Sequence, residues 1–223
     1  MRDATVTLAL IERWLTGRSL ARGLPLPVQD GGGLRVEVGS AVEVRRHVFL
    51  DAGTALQACA AQIDASHIFL KAPVEPEAMR AVLPPHWTVD SPGYLMRGPA
   101  KMTGNAESPP GYRITAEAEH GGQIVRVLHA GGGLAASGRV AVHANCAVFD
   151  QIVTEESHRR LGLGTVVMLA LDALAGIACV TERLLVATDA GRALYERLGW
   201  QVLAPWSTAV RRPPEVASPH RFP

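Results

Sequence analysis

The residues best placed to do chemistry lie within residues 150–165, where a polar loop enters a glycine-containing turn and then a long apolar segment. Arg159 and Arg160 stand just before Gly162 and Gly164. The first backbone N–H groups of a helix have no intrahelical partner, and the helix dipole adds partial positive charge there. Glycine lets a ligand approach such a backbone closely. This stretch therefore predicts a site for a phosphate-bearing ligand.

The loop is placed by regular elements on both sides of it. Apolar periodicity predicts strands at 112–119, 123–130, 134–143 and 147–154, a helix at about 161–180, a strand at 184–188, a helix at 190–198, and short strands at 200–203 and 207–211. This order predicts an α+β (mixed α/β) fold, in which crossover helices pack on a mixed sheet.

The N-terminal half has its own alternation of elements. It predicts a helix within 4–22, strands at 34–38, 45–50 and 66–71, helices at 54–63 and 75–83, and extended chain at 87–96. Residues 97–111 are rich in proline and glycine and predict a linker. We therefore expect a smaller α/β region at 1–96, a main domain at 112–211, and a flexible tail at 212–223.

Composition excludes several classes of partner. Lys+Arg 22 against Asp+Glu 21 gives a formal net charge of +1, which argues against nucleic acid or an anionic membrane as the main partner. The three cysteines have no CxxC spacing and the histidines no ligand spacing, so no metal site is expected. The N-terminus lacks the order of a signal peptide, and the longest apolar run is too short to span a bilayer, which predicts a cytoplasmic protein.

Two segments carry a resemblance to a known family. Residues 159–164, Arg-Arg-Leu-Gly-Leu-Gly, resemble the Arg/Gln-x-x-Gly-x-Gly/Ala signature of the GNAT superfamily of acyl-CoA-dependent N-acetyltransferases. Residues 191–200, with Tyr195, Gly199 and Trp200, resemble that family's Ala-x-x-x-Tyr-x-x-x-Gly-Phe segment. Both segments follow a predicted strand, and the resemblance covers about residues 112–211. It implies a GNAT-like sheet and an acyl-CoA-binding catalytic domain.

The resemblance also implies where acetyl-CoA binds. Backbone N–H groups in the turn would donate to its pyrophosphate, and the preceding strand would pair with the amides of its pantetheine arm. A backbone N–H of that strand would polarise the thioester carbonyl. The implied cofactor-binding residues are Ile152, Val153, Thr154, Arg159, Arg160, Leu161, Gly162, Leu163, Gly164 and Thr165.

Transfer to an amine requires two proton movements. A free alkyl amine has a pKa of about 10, so a base or a water chain must deprotonate it before attack. Tyr195 is the expected proton donor to the departing thiolate. Asp150 is the candidate base, and Glu155 and Glu156 remain open as alternatives near the end of the same strand.

The chain departs from the family pattern in ways that leave alternatives. Only Gly121 and Gly122 separate the first two strands of the main domain, where the family has helices, so residues 1–96 are expected to form the substrate-side wall. The expected function is acetyl transfer from acetyl-CoA to a small-molecule or peptide amine, with no nucleic acid or membrane partner. A catalytically silent acyl-CoA-binding or regulatory module is the alternative, and a homodimer is left open. A P-loop nucleotide site is disfavoured, since Thr165-Val166 follows Gly164.

Overall fold

The computed structural model describes residues 5–104 and 107–212. The predicted tail lies outside these ranges except for Arg212. The helices are α1 Leu8–Arg22, α2 Thr54–Gln62, α3 Pro76–Val82, α4 Leu163–Ala175 and α5 Asp189–Arg197. The strands are β1 Val28–Asp30, β2 Gly33–Glu37, β3 Arg45–Val48, β4 Ile68–Ala72, β5 Trp87–Val89, β6 Gly93–Arg97, β7 Tyr112–Glu119, β8 Gly122–His129, β9 Leu134–His143, β10 Cys146–Thr154, β11 Glu182–Thr188 and β12 Gln201–Arg211.

Within the described ranges, the strands form one mixed sheet. Its order is β1-β2-β3-β4-β12-β6-β11-β10-β9-β8-β7, with β5 paired to β12. The pairs β3–β4 and β10–β11 are parallel, and α4 is the crossover between β10 and β11. The predicted α+β fold with a mixed sheet is confirmed.

Strand β12 lies in the interior of this sheet, between β4 and β6, and joins its two parts. Its residues 201–206 pair with β6 and its residues 207–211 pair with β4. The prediction of two short terminal strands is therefore wrong: they form one strand, with a register shift between Val202 and Ala204 that interrupts the apolar alternation. Strand β6, which precedes most of the predicted linker at 97–111, lies between β11 and β12, which follow it. Strands from before and after the predicted linker are therefore hydrogen-bonded in one sheet. The two-domain division stays a prediction.

Two other elements differ from expectation. Helix α4 ends at Ala175 instead of near residue 180: the N–H of Gly176 still bonds to the carbonyl of Asp172 at 2.9 Å, but the next two N–H groups, of Ile177 and Ala178, bond three residues back instead of four. Strand β1 was not predicted, since it has only three residues and two of them are exposed. In the described part of the chain, no helix is both long and apolar enough to cross a membrane.

Strand β10 is covered on both faces. Ala147 and Phe149 pack with α4 in one buried cluster, whereas Cys146 and Val148 pack with α1 in another. Successive side chains of a strand point to opposite faces, so α4 and α1 lie on opposite sides of the sheet. This explains why the start of β10 reads as a continuous apolar run, without alternation.

Helix α1 sits very close to the sheet. Thr7 caps its first turn by accepting from the N–H of Leu10 at 3.2 Å, and Gly23 ends it in the left-handed conformation. Gly17 is buried, and a Cβ built on it would lie 2.5 Å from Cγ2 of Val148. The absence of a side chain at Gly17 therefore fixes the distance between α1 and β10.

We expect Gly17→Ala to destabilise the protein although alanine favours helices. The added methyl group overlaps a β-branched side chain that cannot swing away, and overpacking of this kind costs about 1–3 kcal/mol, against a gain of about 1 kcal/mol in helix propensity. Urea unfolding measures the difference. Glu12→Ala, at an exposed position of the same helix, is the control and should leave the midpoint nearly unchanged. Equal midpoints for the two variants would contradict the close packing.

Candidate functional site

The sheet opens between β10 and β11. The two strands pair only over Cys146–Val148 and Glu182–Leu184, although both continue for several residues. Strand β10 stays paired with β9 up to Thr154, with a bulge between Asp150 and Val153. Gln151, in this bulge, has a φ of 53°, a left-handed conformation that a non-glycine residue adopts at some cost. The bulge bends β10, and the strand leaves β11.

A cavity of about 360 Å³ occupies this opening. Its volume lies within the range of about 300–1,000 Å³ that is usual for small-ligand sites. Both halves of the chain line it: β10, β11, α5 and the second part of β12 from the C-terminal half, and α1 and β4 from the N-terminal half. The residues that line the cavity include Trp14, Arg18, Arg22, Lys71, Phe149, Asp150, Gln151, Ile152, Gly191, Tyr195, Trp206 and Thr208.

Tyr195 lies in the wall of the cavity on α5. Its side chain is buried, and its ring packs near Trp200 with the ring centroids 6.2 Å apart. The hydroxyl lies beside Gly191, where an added Cβ would come within 3.8 Å of it. Burial, together with the negative charge of Asp150, raises the pKa of Tyr195 to about 12. The phenol is therefore protonated at neutral pH and can donate a proton.

The glycine turn begins α4 at the far end of β10. Gly162 has a φ of 79° and open space where a Cβ would stand, so a ligand can approach its backbone. Gly164 is required for another reason, since a Cβ there would lie 2.9 Å from Leu194 of α5. Arg159 and Arg160 are exposed beside the turn, and Nε of Arg159 lies 3.5 Å from the carbonyl of Thr154.

Aromatic contacts hold the loop between β10 and α4. His158 lies in a short 3-10 turn, Glu156–His158, and its Nδ1 is 2.8 Å from the hydroxyl of Tyr112. Its ring also stacks on His129 with the centroids 5.2 Å apart. These contacts tie the loop to strands β7 and β8 and order the approach to the turn.

Asp150 lies in the cavity wall but is bound to arginines. Its two carboxylate oxygens accept from Nε and Nη2 of Arg22, the latter at 3.1 Å, and Nε of Arg18 lies 3.6 Å away. Both arginines belong to α1, so this carboxylate also joins α1 to β10. The two alternatives named with it, Glu155 and Glu156, are exposed and do not line the cavity.

Lys71 enters the cavity from β4. Its Nζ donates to Oγ1 of Thr208 at 3.2 Å and lies 5.1 Å from the ring centre of Phe69. Burial lowers the pKa of Lys71 to about 8; Glu43 opposes this shift and Arg18 adds to it. The sequence had given no reason to place this lysine in the site.

The structure thus brings Tyr195, Asp150 and Ile152 to one cavity and places the glycine turn at the end of the same strand. Sequence reasoning missed Trp14, Arg18, Arg22 and Lys71, which come from the first half of the chain. One signal existed: the three α1 residues recur every fourth position, which puts them on one face of a helix. For Lys71 the sequence holds no comparable signal.

Helix α1 and strand β4, both within residues 1–96, line the cavity, and their role as the substrate-side wall stays a prediction. Among the described residues, no group of three or more His, Cys, Asp or Glu comes close enough together to hold a metal ion.

A mixed sheet with a glycine turn at the start of the crossover helix has the features that the sequence resemblance implied. The model of the acetyltransferase (GNAT) family matches residues 78–200, more than half of the chain. The chain belongs to this family. The match begins well before residue 112, where the resemblance in the sequence begins, and it includes β5 and β6.

Solved structures show the same fold over nearly the whole chain. A GCN5-related N-acetyltransferase from Kribbella flavida has a TM-score of 0.61 at 18% identity, and the match covers 86% of this chain and 91% of that one. A putative GNAT-family acetyltransferase from Novosphingobium aromaticivorans has a TM-score of 0.57 at 18% identity, covering 91% and 98%. No protein with a curated description matches the chain. At these identities the likeness defines the fold alone.

The lowered pKa of Lys71 predicts a pH dependence of stability. Its folded-state pKa of about 8 lies below the ordinary value of 10.5, so between these values the unfolded chain binds the extra proton. Stability should therefore rise with pH in this interval, relative to Lys71→Met, by on the order of 1–3 kcal/mol.

Denaturant unfolding of both proteins between pH 7 and 10 measures this difference. Lys101→Met is the control, because Lys101 is the one other lysine of the chain and is exposed. If the free energy of unfolding of the wild type changed with pH in parallel with that of Lys71→Met, burial of the Lys71 ammonium group would not destabilise the protein.

Proposed function

We propose that this protein transfers an acetyl group from acetyl-CoA to a primary amine by direct attack of the amine on the thioester. The observation that carries the proposal is the opening between β10 and β11, with a buried, protonated Tyr195 in its wall. Family membership supports an acyltransferase reaction. The acetyl donor and the amine acceptor are inferences from the site.

The donor would lie along the open edge of β10. From Phe149 onward this edge has no ladder partner on β11 in the described structure, so its backbone groups are free to pair with the amides of the pantetheine arm. The turn at Gly162 then offers N–H groups and an open backbone to the pyrophosphate. Arg159 and Arg160, exposed beside it, would add charge-assisted hydrogen bonds.

The thioester end would reach the cavity at the bulge of β10. There the amine nitrogen attacks the carbonyl carbon, a C–N bond forms and the C–S bond breaks. Tyr195, which is protonated at neutral pH, gives its proton to the departing sulfur as the C–S bond breaks. A free backbone N–H in the region of Gln151 and Ile152 would stabilise the charge that develops on the carbonyl oxygen.

The amine must lose a proton before or during attack. Of the three carboxylates considered from the sequence, Asp150 is the one that lines the cavity, and we propose it as the proton acceptor. The same carboxylate holds Arg22, so its removal would also loosen α1. For this reason Asp150 variants are a poor test of the reaction, and Tyr195 and Gly162 are better ones.

We expect Gly162→Val to abolish binding of acetyl-CoA. Valine disfavours a φ of 79°, and its side chain would fill the open space in front of the turn. The measurement is the rise in Tm on addition of acetyl-CoA, which should be several degrees for the wild type at concentrations far above Kd.

Gly39→Val is the matched control for this experiment. Gly39 also has a positive φ, 68°, and open space around its Cβ, but it lies in the loop after β2. The control should lose stability as Gly162→Val does and keep the acetyl-CoA response. A full response in Gly162→Val would remove the turn from the binding site.

We expect Tyr195→Phe to retain acetyl-CoA binding and to lose turnover by about 10²–10⁴-fold, the usual contribution of a general acid. Thiol release from acetyl-CoA across a panel of amines measures turnover, and the Tm shift measures binding. Tyr94→Phe is the control: Tyr94 donates to Asp189 at 3.3 Å outside the cavity, and its loss should change turnover little.

The outcome separates the enzyme from a silent binding module. If wild-type protein binds acetyl-CoA and no amine of any charge drives thiol release, the protein is an acyl-CoA-binding or regulatory module. If turnover occurs and survives in Tyr195→Phe, the enzyme reading stands and the proton donor is another group.

A further inference from the structure

The cavity between β10 and β11 is lined by more positive than negative charge. Its ionisable lining residues are three cations, Arg18, Arg22 and Lys71, one carboxylate, Asp150, and the neutral Tyr195. Arg22 is fully engaged by Asp150, through Nε and Nη2. The charges of the other two cations are not matched inside the cavity.

Arg18 lacks partners that an arginine in a protein interior normally has. Its guanidinium approaches Asp150 only at 3.6 Å, beyond a strong hydrogen bond, and its side chain is 14% exposed. Its Nη1 is buried and has no hydrogen-bond partner among the described residues. A buried donor without a partner costs free energy, and burial accordingly lowers the pKa of Arg18.

Lys71 is unmatched in the same way. Its hydrogen bond goes to the neutral hydroxyl of Thr208, and its other close contact is the ring of Phe69. The two carboxylates whose charge it senses, Glu43 and Asp90, each pair with another arginine. Two cations from separate elements, α1 and β4, therefore meet at one cavity without a carboxylate of their own.

This arrangement disfavours an acceptor that carries only an amine. Such a molecule enters as an ammonium ion, and a like charge in a poorly solvated cavity repels it. An anionic group on the acceptor removes the conflict, since it can accept from Nη1 of Arg18 and from Lys71. The remaining positive field would then lower the pKa of the acceptor's amine and favour the neutral, attacking form.

We propose that the acceptor is a small primary amine that also carries an anionic group, a carboxylate or a phosphate, held by Arg18 and Lys71. The proposal rests on the transferase function proposed above and names the substrate class of that site. The anion would lie near α1 and β4, the elements that carry Arg18 and Lys71.

The rest of the cavity is suited to an apolar portion of the same molecule. Trp14 and Trp206 pack edge to face with the ring centroids 4.7 Å apart, and Phe149 and Ile152 also line the space. A volume of about 360 Å³ accommodates a molecule of amino-acid size together with the acetyl end of the donor. Amino acids with apolar side chains combine the required amine, anion and apolar part.

The test compares acceptors that differ only in the anionic group. Leucine, methionine, phenylalanine and tryptophan are compared with their carboxamides, and 2-aminoethyl phosphate is compared with ethanolamine, with thiol release from acetyl-CoA as the readout. In at least one of these two comparisons, the wild type should use the anionic acceptor with a kcat/KM at least about tenfold higher than that of its neutral counterpart. A tenfold difference is the scale of one charge-assisted hydrogen bond. The two arms separate carboxylate from phosphate.

The variants Arg18→Gln and Lys71→Met should each reduce this ratio by about tenfold, mainly through KM for the anionic acceptor, while the acetyl-CoA Tm shift is kept. Arg13→Gln is the matched control on the same helix. Arg13 pairs with Glu182 outside the cavity, and Glu182 keeps its second partner, Arg97, in that variant. The control should therefore leave the ratio unchanged.

A binding measurement keeps the proposal testable if none of these amines is turned over. The Tm of the protein with saturating acetyl-CoA is recorded with added 3-phenylpropanoate or phenyl phosphate, and with 3-phenylpropanamide. Stabilisation by an anion, lost in Arg18→Gln, supports the proposal. Equal response to the amide, no response to any of the three, or a preference for neutral amines in turnover overturns it. Failure of acetyl-CoA itself to bind defeats the proposed function instead.

Discussion

Strand β10 has two unequal neighbours, and the site follows from that inequality. It pairs with β9 along nearly its whole length, but with β11 over only three residues at its start. Backbone groups that lose a partner inside a protein must find another one, so an open sheet edge in the interior is costly unless a ligand or water completes it. The opening begins after Val148 and is followed by the bulge at Gln151, while α4 and α1 pack on the two faces of β10.

Helix α1 makes the opening into a cavity. It lies outside the segment matched by the family model, yet it supplies one wall and two of the cations. The missing side chain of Gly17 lets the helix pack close to β10, and the ion pair of Arg22 with Asp150 links the C-terminal end of the helix to the same strand. In the proposed function, the donor would therefore bind to the part of the chain that the family model matches, and the acceptor would contact mostly helix α1 and strand β4, which lie before it. Such a division lets the acceptor change while the donor site stays the same.

Much of the proposed donor-binding part of the site could be predicted from the sequence, because its elements are neighbours along the chain. Strand β10, the turn at Gly162, helix α4 and the helix that carries Tyr195 follow each other along the chain, and each has a periodicity or a glycine that indicates it. The acceptor side depends on contacts between residues more than a hundred positions apart, such as Arg22 with Asp150 or Lys71 with Thr208. No local pattern encodes those contacts. Strand β12 was misjudged for a related reason, since its register shift is fixed by β6 and β4.

The near-neutral net charge is compatible with a positive cavity because charge acts locally in a poorly solvated site. Most arginines elsewhere are neutralised by a carboxylate within hydrogen-bond distance, as in the pairs Arg46–Glu43 and Arg183–Asp172. The net charge of the chain therefore reflects mainly the arginines that are paired with carboxylates, and it does not reveal the few cations that lack such a partner. Exposed charges are screened by salt over about 10 Å, whereas charges facing a buried cavity act on its contents with little screening. In the proposed site, the excess of Arg18 and Lys71 over Asp150 would therefore decide which ligands are accepted, and the overall charge of +1 would not.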